Sequence, residues 1–129
     1  MAAPRRPGRR RPLSRRDPLT GLRDRDSLLQ RGQALLDTAA KERRRAAVAL
    51  VDVDRLKQVN DALGHAAGDR LLVETAARLR RAVGPHAVLA RVGGDEFALV
   101  VRLEGDTEPQ ALAGSILAAL GEPVHVGLA

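Results

Sequence analysis

The chain has 129 residues and no cysteine, which suits one domain of modest size and excludes a disulfide framework and any thiolate metal site. Its formal net charge is +6, but arginines at 5, 6, 9, 10, 11, 15 and 16, with no acid among residues 1–16, leave −1 for residues 17–129, so the basicity belongs to a tail. No apolar run approaches the ~20 residues of a membrane span, and no apolar segment follows the basic start, so neither an ordinary secretory signal nor one of the twin-arginine type at Ser14-Arg15-Arg16 is expected.

Prolines at 4, 7 and 12 among those arginines predict a disordered tail over 1–16, with the domain at 17–129. The alternative to a solvated extension is weak, salt-dependent contact with nucleic acid or an anionic membrane surface. No aromatics are interleaved for base stacking, which argues against nucleic acid.

Asp17-Pro-Leu-Thr-Gly-Leu22 opens the domain as a turn-rich stretch. A helix is predicted over 25–44, with Leu28, Leu29, Leu35, Leu36 and Ala39 near one face and Lys41 to Arg45 loading its C-terminal turn. Ala46-Ala-Val-Ala-Leu-Val51 is a short apolar run bounded by charge, read as a central strand buried on both faces and stopping at Asp52-Val53-Asp54. A short helix over about 55–63 follows, with Asp54 as its N-cap, Leu56, Val59 and Leu63 inward, and Gly64 ending it. The loop Gly64-His-Ala-Ala-Gly68 leads to Asp69, a second plausible cap, and to a helix over 70–83 that Gly84-Pro85 breaks. A last helix is expected over 108–120 and a short strand over 123–128.

Between these lies Arg91-Val-Gly-Gly-Asp-Glu-Phe97, flanked by the strand-like runs Ala87–Ala90 and Phe97–Val101; Gly-Gly between such runs signals a hairpin. A bland hairpin tip has no need of the adjacent carboxylates Asp95 and Glu96, so a solvated turn and a metal-holding turn both stay open. The element order predicts a mostly antiparallel α+β fold on the ferredoxin-like βαββαβ plan. In that plan the hairpin strands flank the first strand and bring Asp52 beside Asp95, where the two can share a metal.

Four stretches, Asp17–Leu22, Asp52-Val-Asp-Arg-Leu-Lys-Gln-Val-Asn-Asp61, Gly64-His-Ala-Ala-Gly-Asp69 and Arg91–Phe97, resemble in order and spacing the GGDEF domain, the catalytic module of diguanylate cyclases, over residues 17 to about 120. The resemblance implies a cytoplasmic signalling enzyme with a nucleotide-cyclase palm. It condenses two GTP into cyclic di-GMP and pyrophosphate with Mg²⁺ or Mn²⁺, as a homodimer whose protomers each hold one GTP. By the same resemblance Asp52, the Val53 carbonyl, Asp95 and Glu96 are metal ligands, and Asp95 also helps to take the proton of the 3′-hydroxyl. Lys57 and the backbone amides of Arg55 and Leu56 meet the terminal phosphates at a helix N-terminus. Asn60 and Asp69 read guanine, His65 contacts the nucleotide, and Gly93 and Gly94 let the chain pass close to ribose and phosphates. Read singly, the same residues have plainer roles: Asp52 as a strand-end acid, Lys57 as a solvated lysine, Asn60 and Asp69 as caps.

The family pattern fails in two places that matter. Gly84, Pro85, His86 and Ala87 stand where many cyclases carry an Arg-x-x-Asp product-inhibition site, so no feedback inhibition is expected there. Val124-His-Val-Gly-Leu-Ala129 ends short of the family's last strand and helix, whose basic residues help to hold the triphosphate, and an apolar face of the sheet is expected to be uncovered. Leu56 and Val92 replace the usual Phe and Tyr. His86 and His125 take no role. Three readings follow: a cyclase, a non-catalytic module that binds Mg-GTP or a sensor or partner protein, and an inactive truncated product.

Overall fold

A computed structural model describes residues 15–121. Most of the arginine-rich tail and the strand expected over 123–128 lie outside the described residues. Arg15 and Arg16 depart from the expectation of a disordered tail. Arg15 forms ion pairs with Asp24 at 2.9 Å and Asp26 at 2.8 Å, and Arg16 bridges to Arg23.

Helix α1 spans Arg25–Lys41. It starts where the Asp24 carboxylate accepts the Ser27 N–H at 2.9 Å, a cap that satisfies one of the helix's unpaired donors. It stops short of the predicted end, because Glu42 caps it and Arg43 takes a left-handed backbone with φ 55°. Leu29, expected to face inward, is 61% exposed; the buried positions are Ser27, Gly32 and Ala39. Gly32 sets the approach of α1, since a Cβ there would lie 3.1 Å from Val100 Cγ2.

Strands β1 (Arg45–Asp52), β2 (Val88–Arg91) and β3 (Glu96–Leu103) form an antiparallel sheet in the order β1-β3-β2. Two expectations are corrected among the described residues. The hairpin strands do not flank β1, because β3 is central; and β1 is not buried on both faces, because Val48 is 62% and Leu50 80% exposed. The reason is the seat of α1, which lies chiefly over β2 and β3. The expected end of β1 beside the hairpin tip is present: Asp52 pairs with Glu96 in the β1–β3 register.

Helix α2 spans Leu56–Leu63 and α3 spans His65–Val83, with Gly64 at φ 93° ending the first and preceding the second. Asp54 does not cap α2; Arg55 holds that place without a side-chain bond. Leu63 is exposed, whereas Leu56 and Val59 are partly buried. The predicted loop 64–68 is instead the first turn of α3, and Asp69 lies inside the helix rather than capping it. Gly68 explains the misreading. It is buried, and a Cβ there would overlap Asn60 Oδ1, so this glycine serves the close packing of α2 on α3 and not a turn. Gly84, at φ 82°, ends α3 as predicted. Helix α4 spans Pro109–Leu120 with proline in its first turn.

The core joins Leu89, Phe97 and Leu99 of the sheet to Leu72, Ala76 and Leu79 of α3, Ile116 of α4 and Leu22. Phe97, the single aromatic residue, is fully buried. It thus anchors the first turn of β3 beneath the exposed carboxylates that precede it. After α1, the order β1 α2 α3 β2 β3 α4 is that of a ferredoxin-like cyclase palm.

Candidate active site

Three carboxylates meet where β1 ends and β3 begins. Ligand oxygens of Asp52, Asp95 and Glu96 all lie within 4.8 Å of one another, and all three residues are exposed. Two backbone features hold them together. Asp52 and Glu96 are partners in the β1–β3 ladder, and the Val53 N–H donates to the Asp95 carbonyl at 2.9 Å. The donor set fits a hard divalent cation, which takes oxygen ligands and offsets the mutual repulsion of clustered carboxylates. The Val53 carbonyl accepts the Leu56 N–H at 3.3 Å and keeps a second lone pair for another partner.

The turn that carries Asp95 is closed by the Glu96 carbonyl, which accepts from Val92 N–H at 2.9 Å and Gly93 N–H at 3.4 Å. Neither glycine of the tip has a left-handed φ, so the sequence reason for glycine, conformational freedom, is replaced by space. A Cβ on Gly93 would come to 2.7 Å from Glu96 Oε1, whereas one on Gly94 would meet nothing within 4 Å. Gly93 therefore makes room for the Glu96 carboxylate, and Gly94 faces open space.

The sequence did not single out three residues that brace this turn. Arg91 donates from Nη2 to the Gly94 carbonyl at 2.8 Å and from Nη1 to the Asp17 carboxylate at 3.2 Å. Asp17 in turn accepts the Thr20 N–H and hydroxyl, each at 2.8 Å. Burial works to raise the Asp17 carboxyl, but the Thr20 hydrogen bonds and the Arg91 guanidinium outweigh it and hold it below the ordinary carboxylate value. The first and last of the four sequence stretches are thus one unit, joined by an ion pair whose side chains are 18% and 16% exposed. The available signal was an arginine next to the glycine turn and an acid in a turn, neither distinctive by itself.

The other expected site residues are distributed as follows. Asp52, Val53 and Arg55 line a cavity of about 330 Å³, backed by Val59, Leu71 and Leu120. Lys57 is solvent-exposed, and its Nζ pairs with Asp61 at 3.1 Å. The Leu56 amide is turned toward Val53. Asn60 is partly buried, and its Oδ1 is enclosed against Gly68 without a hydrogen-bond partner among the described residues. His65 is exposed at the start of α3. Asp69 borders a different cavity, with Leu19, Arg70 and Val73, and is not brought to the carboxylate cluster.

Residues 14–127 match the family described as Diguanylate cyclase, GGDEF domain. An uncharacterized signaling protein of Caulobacter vibrioides is 44% identical over 115 residues, 87% of this chain and 14% of that protein. Diguanylate cyclase TpbB of Pseudomonas aeruginosa is 39% identical over 111 residues, 85% of this chain and 26% of that enzyme. The solved GGDEF domain of TpbB superposes with a TM-score of 0.80 at 37% identity, covering 87% of this chain and 66% of that one. The chain spans only a minor part of the curated relatives' length. The matched region takes in all four sequence stretches and every element from α1 to α4, and the chain belongs to the GGDEF domain family of diguanylate cyclases.

Proposed function

We propose that this domain condenses two GTP molecules into cyclic di-GMP and pyrophosphate, as a dimer in which each protomer contributes one nucleotide. The observation that carries the reading is the convergence of Asp52, Asp95 and Glu96 at a strand end bonded directly to a glycine turn. A bound Mg²⁺ or Mn²⁺ supplies charge neutralisation of the triphosphate and lowers the pKa of a coordinated hydroxyl. The protein's own share is position. Asp52, Asp95, Glu96 and the Val53 carbonyl hold the cation. Asp95, at the turn, also accepts the proton of the attacking 3′-hydroxyl. Lys57 leaves Asp61 for the terminal phosphates, which the Arg55 and Leu56 amides at the α2 N-terminus favour through their partial positive charge.

Guanine selection falls to Asn60 and Asp69, with His65 beside the nucleotide. A carboxylate accepts from the guanine N1–H and 2-amino group, which adenine lacks, and a buried acceptor left unpaired would reject it. Gly94, with open space where a side chain would stand, is the point of closest approach to ribose and phosphate. The test is chromatography of nucleotides after the purified chain is incubated with GTP and Mg²⁺, beside Asp95→Ala. Cyclic di-GMP from the parent and none from the variant is the expected result. A folded parent that binds GTP and yields no product refutes catalysis.

That outcome would favour the second reading, a module that holds nucleotide or a partner without turnover. The exposed Val48 and Leu50 on β1 lend it support, since such a face suits a covering partner.

A further inference from the structure

Strand β1 ends the sheet on one side, and among the described residues no strand pairs with its outer edge. The Val53 N–H donates to the Asp95 carbonyl in continuation of the β1–β3 register, so the odd-numbered residues of β1 turn their backbone groups to β3. Ala46, Val48, Leu50 and Asp52 therefore turn theirs to the open edge. The side chains of these four share one face of the sheet. It is the face of α1, since Val48 pairs with Val100 and Val100 meets Gly32. Helix α1 lies chiefly over β2 and β3, which leaves Val48 and Leu50 uncovered, at 62% and 80% exposed. Edge strands are usually guarded by charge, proline or a bulge. Ala46–Val51 has none of these: every residue is apolar, and its ladder with β3 is unbroken.

An open edge of this kind takes a further strand by backbone pairing, and the sequence of β1 suits its own copy. Arg44 and Arg45 precede the apolar run, and Asp52 and Asp54 follow it. Antiparallel copies therefore bring the basic end of each strand beside the acidic end of the other. The Arg45 guanidinium donates to the Gly105 and Thr107 carbonyls and has no carboxylate partner among the described residues. A two-fold axis perpendicular to the sheet keeps the faces of both copies in common, so opposed positions must both be even or both be odd. With the axis at Ala49, all four edge-facing residues find partners: Ala46 opposes the partner's Asp52, and Val48 opposes the partner's Leu50. We propose that this edge is an interface between two copies of the chain, joined β1 to β1 in that antiparallel register so that two three-stranded sheets become one. The contact uses backbone groups with Val48 and Leu50 and leaves the three carboxylates free, so it is separate from a nucleotide-bridged dimer and stands without the cyclase reading.

The test is analytical ultracentrifugation of the whole chain in EDTA without nucleotide, so that no assembly driven by GTP or a cation enters. The parent should be dimeric at micromolar concentrations. Val48→Lys/Leu50→Lys sets like charges opposite each other at both of the apolar pairs. Its dimer Kd should rise on the order of a hundredfold, about tenfold for each pair. Val48→Lys/Leu50→Glu puts as much charge on the strand but sets the new lysine of one copy opposite the new glutamate of the other. Its Kd should be at least about tenfold below that of the double-lysine variant and should rise with salt more steeply than the parent's. Both positions are exposed, and circular dichroism checks that the variants fold. If the double-lysine variant unfolds, the mixed variant and its salt dependence still decide. A monomeric parent overturns the proposal, because the edge is then open or covered from within the chain. A dimer indifferent to these substitutions overturns it too, because the copies then meet elsewhere. Equal dissociation of both double variants refutes the register and with it the proposal.

Discussion

Gly68 bears the sharpest steric constraint near the proposed base-reading residue, and its replacement by alanine sets two effects of known size against each other. In an unobstructed helix interior Gly68→Ala would stabilise the chain by about 1 kcal/mol. In α3 the added methyl overlaps Asn60 Oδ1 and comes to 3.2 Å from Leu56 Cδ1. The Leu56 methyl is the tip of a flexible side chain and can give by tenths of an ångström. Asn60 Oδ1 is enclosed against α3, so the carboxamide must swing out or the two helices must separate. Overpacking of this kind costs about 1–3 kcal/mol, which exceeds the helix gain and leaves a net loss on the order of 1 kcal/mol. In an Asn60→Ala background the obstruction is gone, and Gly68→Ala should then be stabilising by up to about 1 kcal/mol. The sign reversal amounts to a coupling of about 2 kcal/mol, within the range shown by residues in contact. Urea unfolding of the four chains, with m unchanged, measures it. If Gly68→Ala stabilises the parent, or if the two substitutions add without coupling, the assigned role of Gly68 is wrong.

Two further outcomes follow from the brace behind the turn and from the turn itself. The Asp17 carboxyl is held below its ordinary value of 3.8, so its contribution to stability is present above that pH and is lost as pH falls below it through the folded-state value. Arg91→Met should remove part of that acid-dependent loss and, by stranding Asp17 and the Gly94 carbonyl, destabilise the chain at neutral pH by about 2 kcal/mol; urea midpoints from pH 7 down to pH 3 would show both. Gly93→Ala should displace the Glu96 carboxylate and weaken Mn²⁺ binding, followed by paramagnetic relaxation of water, several-fold more than Gly94→Ala does without nucleotide, because only the Gly93 methyl is obstructed.

The sequence made the helices, the hairpin and the meeting of Asp52 with Asp95 readable, since these depend on local periodicity and on one topological choice. Partnership between strands was less readable. Ala46–Val51 is apolar at every position, so nothing in the run marks which face is covered or whether the strand is central; both depend on where α1 sits, and that is set by the missing side chain of Gly32 against Val100. Gly64 and Gly68 look alike in sequence, yet one turns the chain at φ 93° and the other is a helix contact. The role of Arg91 was hidden for a further reason: its partner Asp17 lies 74 residues away, beyond the reach of any spacing rule.

The pairing of Asp52 with Glu96 has a consequence for how the sheet finds its alignment. Side chains alternate between faces, so a slip of one residue between β1 and β3 sends Glu96 to the opposite side and dissolves the carboxylate cluster. Any cation held jointly by the three acids binds only the correctly aligned chain, and by mass action it withdraws misaligned forms from the population. With such a cation bound, the three carboxylates would act as a registration mark, read by the ion and by nothing in the backbone ladder, whose hydrogen bonds are equally satisfied in either alignment.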